Sequence, residues 1–201
     1  MRHCQASLPA RGRNCRGCRP CAPQADRHRP SMPLRPVEIV LVEPEIPPNT
    51  GNIGRACVGL GLPLTLAGTL GFEINDRQLR RAGLDYWPKL NVTHEPDAER
   101  VRQRLLRGRP VLFSKTGSVE IWDADLCDAT ALVFGCETRG LPEHWRAMDV
   151  PKVRFPQSDG VRSYNLSNVV FGAAMEWVRQ TGWRPHQGTA GTLNPSESQK
   201  T

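Results

Sequence analysis

The first 35 residues of this 201-residue chain contain almost no acidic side chains. They hold eight arginines and one acidic residue, Asp26, and so account for the whole formal net charge of +7. The remaining residues include 19 basic and 19 acidic side chains and carry no formal net charge. Net charge therefore gives no argument that the body of the protein binds nucleic acid, and only a local basic patch would do so.

The sequence also lacks a long apolar run. No stretch approaches the roughly 18 apolar residues of a membrane span, and the amino-terminal segment has no apolar core like that of a secretory signal. We therefore expect no membrane partner and a cytoplasmic location. Three cysteines without disulfide-like spacing, Cys57, Cys127 and Cys136, agree with a reducing compartment.

The amino-terminal segment contains the other four cysteines, Cys4, Cys15, Cys18 and Cys21. Their spacing would allow a metal site, but the segment also has the Arg-, Pro- and Gly-rich composition of chain that does not fold. A third interpretation is that translation begins at Met32. We predict a disordered or untranslated tail at residues 1–35, one domain at 36–183 and a disordered tail at 184–201.

Short apolar runs alternate with segments of helical pattern along the predicted domain. This alternation predicts an α/β fold, with a parallel sheet covered by helices on both faces. The predicted strands are 37–42, 64–67, 91–94, 110–113, 131–134 and 153–155. The predicted helices are 52–60 with Asn52 as its cap, 75–83, 97–107, a short one from Pro142 and a final amphipathic one ending near Gly182.

A dinucleotide-binding Rossmann fold is the natural competitor for this pattern. That fold requires Gly-x-Gly-x-x-Gly directly after the first strand, and the chain has Pro-Pro-Asn-Thr-Gly-Asn at 47–52 instead. Gly59 and Gly61 come later, where a helix would end. The sequence therefore argues against a dinucleotide site.

Three polar segments stand out, and the first two of them contain glycines. They are Asn49-Thr-Gly-Asn-Ile-Gly-Arg55, Phe134-Gly-Cys-Glu-Thr-Arg-Gly-Leu-Pro142 and Arg162-Ser-Tyr-Asn-Leu-Ser-Asn168. Each follows a predicted strand, and open α/β sheets bind ligands beyond the carboxyl ends of their strands. The sequence thus predicts one pocket assembled from three loops, and hence an enzyme.

The three segments, in this order, resemble the motifs of the SPOUT class of RNA methyltransferases. From Val37 to Trp183 the chain is similar to the tRNA wobble-position (cytidine/uridine) 2′-O-methyltransferases. This resemblance implies methylation of the ribose 2′-hydroxyl of C34 or U34 with S-adenosylmethionine and no metal. It also implies a deep trefoil knot near the carboxyl terminus and a homodimer formed through the last helix, where Trp177 fits an interface core. Methylation at another tRNA or rRNA position, or RNA binding without catalysis, are the alternatives.

The resemblance also implies the cofactor-binding residues, which are Phe113, Gly135, Phe155 and Ser163. The family binds its cofactor largely through main-chain groups, so different side chains are tolerated at the two phenylalanines. Gly135 would let the backbone approach the ligand closely. Its alternative role is that of a glycine in a turn after a strand.

Arg55 and Asn49 are the predicted catalytic residues. Because a guanidinium stays protonated at neutral pH, we expect Arg55 to act by its charge and favour ionisation of the 2′-hydroxyl. The alternative is a surface arginine paired with Glu43 or Glu45.

Arg139, Arg162 and Tyr164 are the predicted RNA-binding residues, with Tyr164 able to stack on a base. For Arg139 and its neighbour Glu137, a salt bridge that shapes the loop is an equal alternative.

Overall fold

The computed structural model describes residues 35–72 and 86–185. Most of the predicted amino-terminal tail, the predicted helix at 75–83 and most of the predicted carboxyl-terminal tail lie outside the described residues. The four cysteines of the first 21 residues lie outside them as well.

The described residues form a seven-stranded sheet in which every neighbouring pair of strands is parallel. Its order is β3-β2-β1-β6-β4-β7-β5. The strands are β1 (Glu38–Val42), β2 (Leu64–Ala67), β3 (Val92–Glu95), β4 (Pro110–Phe113), β5 (Val119–Glu120), β6 (Ala131–Phe134) and β7 (Lys152–Arg154). The predicted parallel α/β sheet is confirmed, whereas the two-residue edge strand β5 was not predicted.

Helices cover both faces of the sheet, as predicted. They are α1 (Pro47–Leu60), α2 (Ala98–Leu105), α3 (Glu143–Arg146) and α4 (Leu166–Thr181), with a 3₁₀ turn at Trp87–Lys89. Successive side chains of a strand point to opposite faces, so Ile39 and Leu41 of β1 pack with α1 and α4. Val40 and Val42 pack with α2 and α3. Burial on both faces explains why the strand sequences are almost continuously apolar.

The first helix begins five residues earlier than predicted. Asn52 does not cap it, because α1 starts at Pro47 and Ile46 is the extended residue before it. The φ angle of proline suits the first helical turn, where its missing N–H is not needed. The prolines that indicated a loop in the sequence are therefore part of the helix. It ends at Gly61, whose φ of 65° is left-handed, in agreement with the predicted role of that glycine.

The last helix buries more of its apolar surface within the chain than the resemblance suggests. Trp177 is fully buried, and its ring centroid lies 5.6 Å from that of Trp183. The interpretation of Trp177 as an interface residue is wrong, because intramolecular core packing already uses its ring. Phe171 and Met175 are the apolar residues that α4 exposes. Within residues 35–72 and 86–185, no helix combines the length and apolar character needed to span a membrane.

Candidate functional site

A cavity of about 930 Å³ opens beyond the carboxyl ends of three adjacent strands, β4, β6 and β7. Because the strands are parallel, the loops that follow them leave the sheet at the same edge. The cavity is lined by the loop after β4, the loop after β6, the loop between β7 and α4, and the start of α1. The three segments singled out in the sequence therefore meet at one site, as predicted.

Gly135 begins the loop after β6 and lies against the far end of the same loop. A Cβ atom at this position would come 2.0 Å from the carbonyl carbon of Gly140 and 2.1 Å from the nitrogen of Leu141. Gly140 has a φ of 70°, and its N–H donates to the carbonyl of Cys136 at 3.0 Å. Gly135 is thus needed to close the turn on itself. It lines the cavity as well.

A chain of hydrogen bonds joins the three segments through Asn49. The Nδ2 of Asn49 donates to Oε1 of Glu137 at 2.9 Å, and its Oδ1 accepts from Nδ2 of Asn165 at 2.8 Å. The other carboxylate oxygen of Glu137 accepts from the backbone N–H of Glu45. The Oδ1 of Asn165 accepts from the backbone N–H of Ser167 and caps α4. Both ends of the buried Asn49 amide are therefore engaged in holding the loops together.

Arg139 lies among carboxylates of the loop between β1 and α1. Its guanidinium is 3.5 Å from a carboxylate oxygen of Glu43 and 3.5 Å from one of Glu45. The hydroxyl of Thr138 donates to Glu45 at 2.7 Å, and this bond is the largest of the effects that lower the pKa of Glu45 below its ordinary value. Arg139 lowers it further by its charge. The structure thus shows the local salt bridge that the sequence left open for Arg139, although its partners are Glu43 and Glu45, and not Glu137.

Aromatic rings form the apolar wall of the cavity. The rings of Phe113 and Phe134 stack at 4.8 Å between centroids, and the ring of Phe155 lies 6.1 Å from that of Phe113. All three residues line the cavity. Such a wall beside loop backbone can hold a planar heterocycle by burial of apolar surface.

The loop between β7 and α4 forms the rim. Ser163 and Tyr164 line the cavity and are exposed, and the Tyr164 hydroxyl donates to the carbonyl of Pro156 at 2.9 Å. Arg162 is exposed, and its carbonyl accepts a hydrogen bond from Lys115 at 3.0 Å. Two of the three predicted RNA-binding residues, Arg162 and Tyr164, therefore lie together on the rim.

Arg55, the main predicted catalytic residue, is not at the cavity. It is an exposed residue of α1 and does not line the cavity. Its guanidinium carbon stands 5.0 Å from the centroid of the Tyr86 ring, a cation–π contact. Within one chain, the structure brings Asn49 to the cavity and leaves Arg55 outside it.

Sequence reasoning missed the loop after β4. Ser114, Lys115 and Thr116 of this loop line the cavity, together with Glu120 of β5 and Arg146 of α3. The signal was present, because Ser-Lys-Thr-Gly follows the buried strand β4 in the same way that the other polar segments follow theirs. Among the residues that the structure describes, no group of three His, Cys, Asp or Glu side chains is placed to hold a metal ion.

A model of a known protein family matches most of the chain, including this site. The model described as the SpoU rRNA Methylase family matches residues 36–171, which include the three strand-end loops and the start of α1 that line the cavity. The chain belongs to this family. Its SpoU rRNA Methylase region includes every described strand, and the match ends within α4.

Two curated relatives of this chain bear the name of the same reaction. A protein of Methylovorus glucosotrophus, named tRNA (cytidine(34)-2'-O)-methyltransferase, is 41% identical over 151 residues, which are 74% of this chain and 95% of that protein. A protein of Burkholderia ambifaria with the same name is 40% identical over 149 residues, which are 72% and 96% of the two chains.

Solved structures of similar fold also concern methylation. One that concerns the 2-OH methylation of C/U34 on tRNA is 40% identical, has a TM-score of 0.68, and is matched over 74% of this chain and 97% of its own. Another is the SpoU methyltransferase AviRb from Streptomyces viridochromogenes in complex with the cofactor AdoMet. It is 27% identical, has a TM-score of 0.64, and is matched over 79% of this chain and 62% of its own.

Proposed function

We propose that this protein is a tRNA 2′-O-methyltransferase that transfers the methyl group of S-adenosylmethionine to the ribose of nucleotide 34, the wobble C or U. The observation that carries the proposal is the cavity at the ends of β4, β6 and β7, where the three segments that the sequence singled out meet the loop after β4. The names of relatives that align over nearly their whole length support the choice of substrate and position.

The residues at the cavity fit S-adenosylmethionine, which would supply an electrophilic methyl group on a sulfonium. The wall of Phe113, Phe134 and Phe155 suits the adenine ring. Gly135 and Ser163 belong to the two loops beside this wall, where backbone and hydroxyl groups can bind polar atoms of the cofactor. We therefore assign Phe113, Gly135, Phe155 and Ser163 to the cofactor.

Transfer to a ribose hydroxyl requires alignment of the hydroxyl and removal of its proton. The Asn49, Glu137 and Asn165 hydrogen bonds keep the loops in one arrangement, so that the reacting groups are held close before reaction. We assign Arg55 the task of lowering the pKa of the 2′-hydroxyl by its positive charge. Arg139, Arg162 and Tyr164 are assigned to the RNA.

Arg55 does not line the cavity of its own chain, and we infer that a second copy brings its charge to the ribose. We propose a homodimer formed through α4. Phe171 and Met175 support this interface, because both are apolar, lie four residues apart on α4 and are 49% and 42% exposed. In a symmetric pair, the same surface of each copy would meet the other.

Two further features implied by the resemblance belong to the proposal. One is the carboxyl-terminal trefoil knot, and it is supported by the position of the late strand β7 inside the sheet between β4 and β5. The other is a cytoplasmic location, which the free thiols of Cys57, Cys127 and Cys136 support.

The test is transfer of labelled methyl from S-adenosylmethionine to unmodified tRNA, followed by nucleoside analysis. We expect label in 2′-O-methylcytidine or 2′-O-methyluridine at position 34. Arg55→Ala should lower kcat by roughly 100-fold or more, the range seen when a group that stabilises a developing charge is removed. Its affinity for S-adenosylmethionine should not change.

The matched control is Arg100→Ala. Arg100 is an exposed residue of α2 that pairs with Asp97, and α2 lies on the face of the sheet opposite to α1. This variant should keep wild-type turnover. Label at another nucleotide would contradict the assignment to position 34. tRNA binding without any methyl transfer would favour the non-catalytic RNA-binding alternative.

A further inference from the structure

The charged side chains of the cavity are mostly neutralised by neighbours. Among the described residues, four cations line it, Lys115, Arg139, Arg146 and Arg154. The three arginines all form ion pairs. Arg139 pairs with Glu43 and Glu45, Arg146 with Glu143, and Arg154 with Glu120. An anionic ligand at these arginines would compete with carboxylates already in place.

Lys115 differs from the three arginines. Within residues 35–72 and 86–185, no carboxylate lies within ion-pair distance of its ammonium group, whose hydrogen bond is to the carbonyl of Arg162 at 3.0 Å. An ammonium group has three donors, so two remain for a ligand. Lys115 is exposed and therefore accessible from solvent.

The bond from Lys115 also places its ammonium group at the rim. It joins the loop after β4 to the rim loop, one residue before Ser163 and two before Tyr164. The ammonium group, the exposed Arg162 and the exposed ring of Tyr164 thus belong to one part of the rim. Cations and aromatic rings on one surface are the combination that binds the backbone and the bases of single-stranded RNA.

We propose that Lys115 binds a backbone phosphate of the RNA substrate at the rim of the cavity, next to the nucleotide that enters it. This inference rests on the proposed function and extends it to a residue outside the three segments singled out in the sequence. The site is electrostatic and does not read the base, so it would position the anticodon loop without selecting its sequence.

Lys115→Met and Lys115→Arg test the proposal, with Lys89→Met as the matched control. Lys89 is exposed in the 3₁₀ turn and does not line the cavity. The measurements are the dissociation constant of an anticodon stem-loop RNA at several salt concentrations, and separately that of S-adenosylmethionine. We expect Lys115→Met to weaken RNA binding roughly tenfold at low salt, as loss of a charged hydrogen bond would. The slope of log affinity against log salt should become shallower by about 0.7, the value for one single-strand phosphate contact.

Lys115→Arg should retain most of the RNA affinity and the wild-type slope, and Lys89→Met should match the wild type. An unchanged slope in Lys115→Met would overturn the proposal. So would weaker binding of S-adenosylmethionine with unchanged RNA binding, because the lysine would then serve the carboxylate of the methyl donor or the loop alone. Because the readout is binding, a wild-type protein that binds the stem-loop but transfers no methyl would contradict the proposed function and leave this test intact.

Discussion

At the residue scale, the polarity of the hydrogen bonds around Asn49 follows from one side chain. Glu137 is a carboxylate and can only accept, so Asn49 must present its NH₂ group to it. The carbonyl oxygen of Asn49 then faces Asn165, which must also donate with its NH₂ group. The oxygen of Asn165 is thereby left to cap α4. The negative charge of Glu137 thus sets the orientation of two amides.

This polarity predicts that the negative charge can be moved from position 137 to position 49 without loss of the hydrogen bonds. Asn49→Asp alone places two carboxylates in contact and should lower the free energy of unfolding by about 2 to 3 kcal/mol. Glu137→Gln alone loses one bond and should cost about 1 kcal/mol. In the double variant, the new amide at position 137 donates to the new carboxylate at position 49 while its oxygen still accepts from the N–H of Glu45, so every bond can form again. Denaturant unfolding should show the double variant close to the wild type.

The coupling between the two substitutions is the decisive quantity. We expect a favourable interaction free energy of about 1 to 3 kcal/mol, the range for residues in one hydrogen-bond network. A double variant whose loss equals the sum of the two single losses would show that the network does not set amide orientation.

The sequence allowed the members of this network to be grouped, but not their contacts. The segments containing Asn49, Glu137 and Asn165 were each visible as polar residues after a strand. The sequence separations of 88 and 116 residues between bonded partners depend on which loops meet in space. Gly135 illustrates the same limit, because its tight approach to Gly140 depends on the path of a turn that residue types alone do not specify.

At the scale of elements, Gln180 attaches α4 to the segment that precedes β6. Its Nε2 donates to the carbonyl of Ala124 at 2.8 Å, and its Oε1 accepts from the N–H of Leu126 at 2.8 Å. Glu176, one turn earlier, accepts from the same Nε2. The side-chain amide thus satisfies both a backbone donor and a backbone acceptor beside the apolar core.

Gln180→Met should therefore destabilise the protein although the substitute has similar size. Two backbone groups lose their partners, and we expect the free energy of unfolding to fall by about 1 to 3 kcal/mol. Gln103→Met is the matched control, because Gln103 is exposed on α2 and its amide donates to the side chain of Glu99 rather than to backbone. The control should change stability by less than about 0.5 kcal/mol. Equal losses in the two variants by thermal or denaturant unfolding would contradict this account.

Strands and helices with a clear apolar pattern were predictable, and those without one were not. The central strands and α2, predicted at 97–107 and found at Ala98–Leu105, agree with the sequence, because buried apolar residues leave a local signal. The edge strand β5 has only two half-buried residues and leaves no such signal. The start of α1 was misplaced because two prolines indicate either a loop or a first helical turn, and tertiary packing decides between them.

At the scale of the whole molecule, the proposed homodimer predicts the molecular mass of the protein in solution. Phe171→Glu places a charge in the proposed interface, where it would be buried without a partner. We expect the variant to sediment as a monomer while the wild type sediments as a dimer. Leu106→Glu is the control, because Leu106 is 48% exposed and follows α2 on the other face of the sheet. A wild-type monomer, or a Phe171→Glu dimer, would contradict the interface.

The alternation of strands and helices predicted a parallel sheet but not the order of its strands. Local patterns carry no information about which strand pairs with which, so the order β3-β2-β1-β6-β4-β7-β5 had to come from the structure. The position of the cavity depends on that order, because β4 pairs with both β6 and β7 although neither is the next strand along the chain.

The same strand order constrains how the protein can fold while it is synthesised on the ribosome. β6 lies between β1 and β4, and β7 lies between β4 and β5, so each of these strands joins two neighbours that were synthesised before it. During synthesis the amino-terminal strands emerge first, and each strand can pair only with strands that have already been made. Until residues 152–165 emerge, β4 and β5 have no strand between them and the cavity has no rim. The cavity can therefore bind a ligand only after these residues have been made, and α4 can pack only after both insertions have occurred.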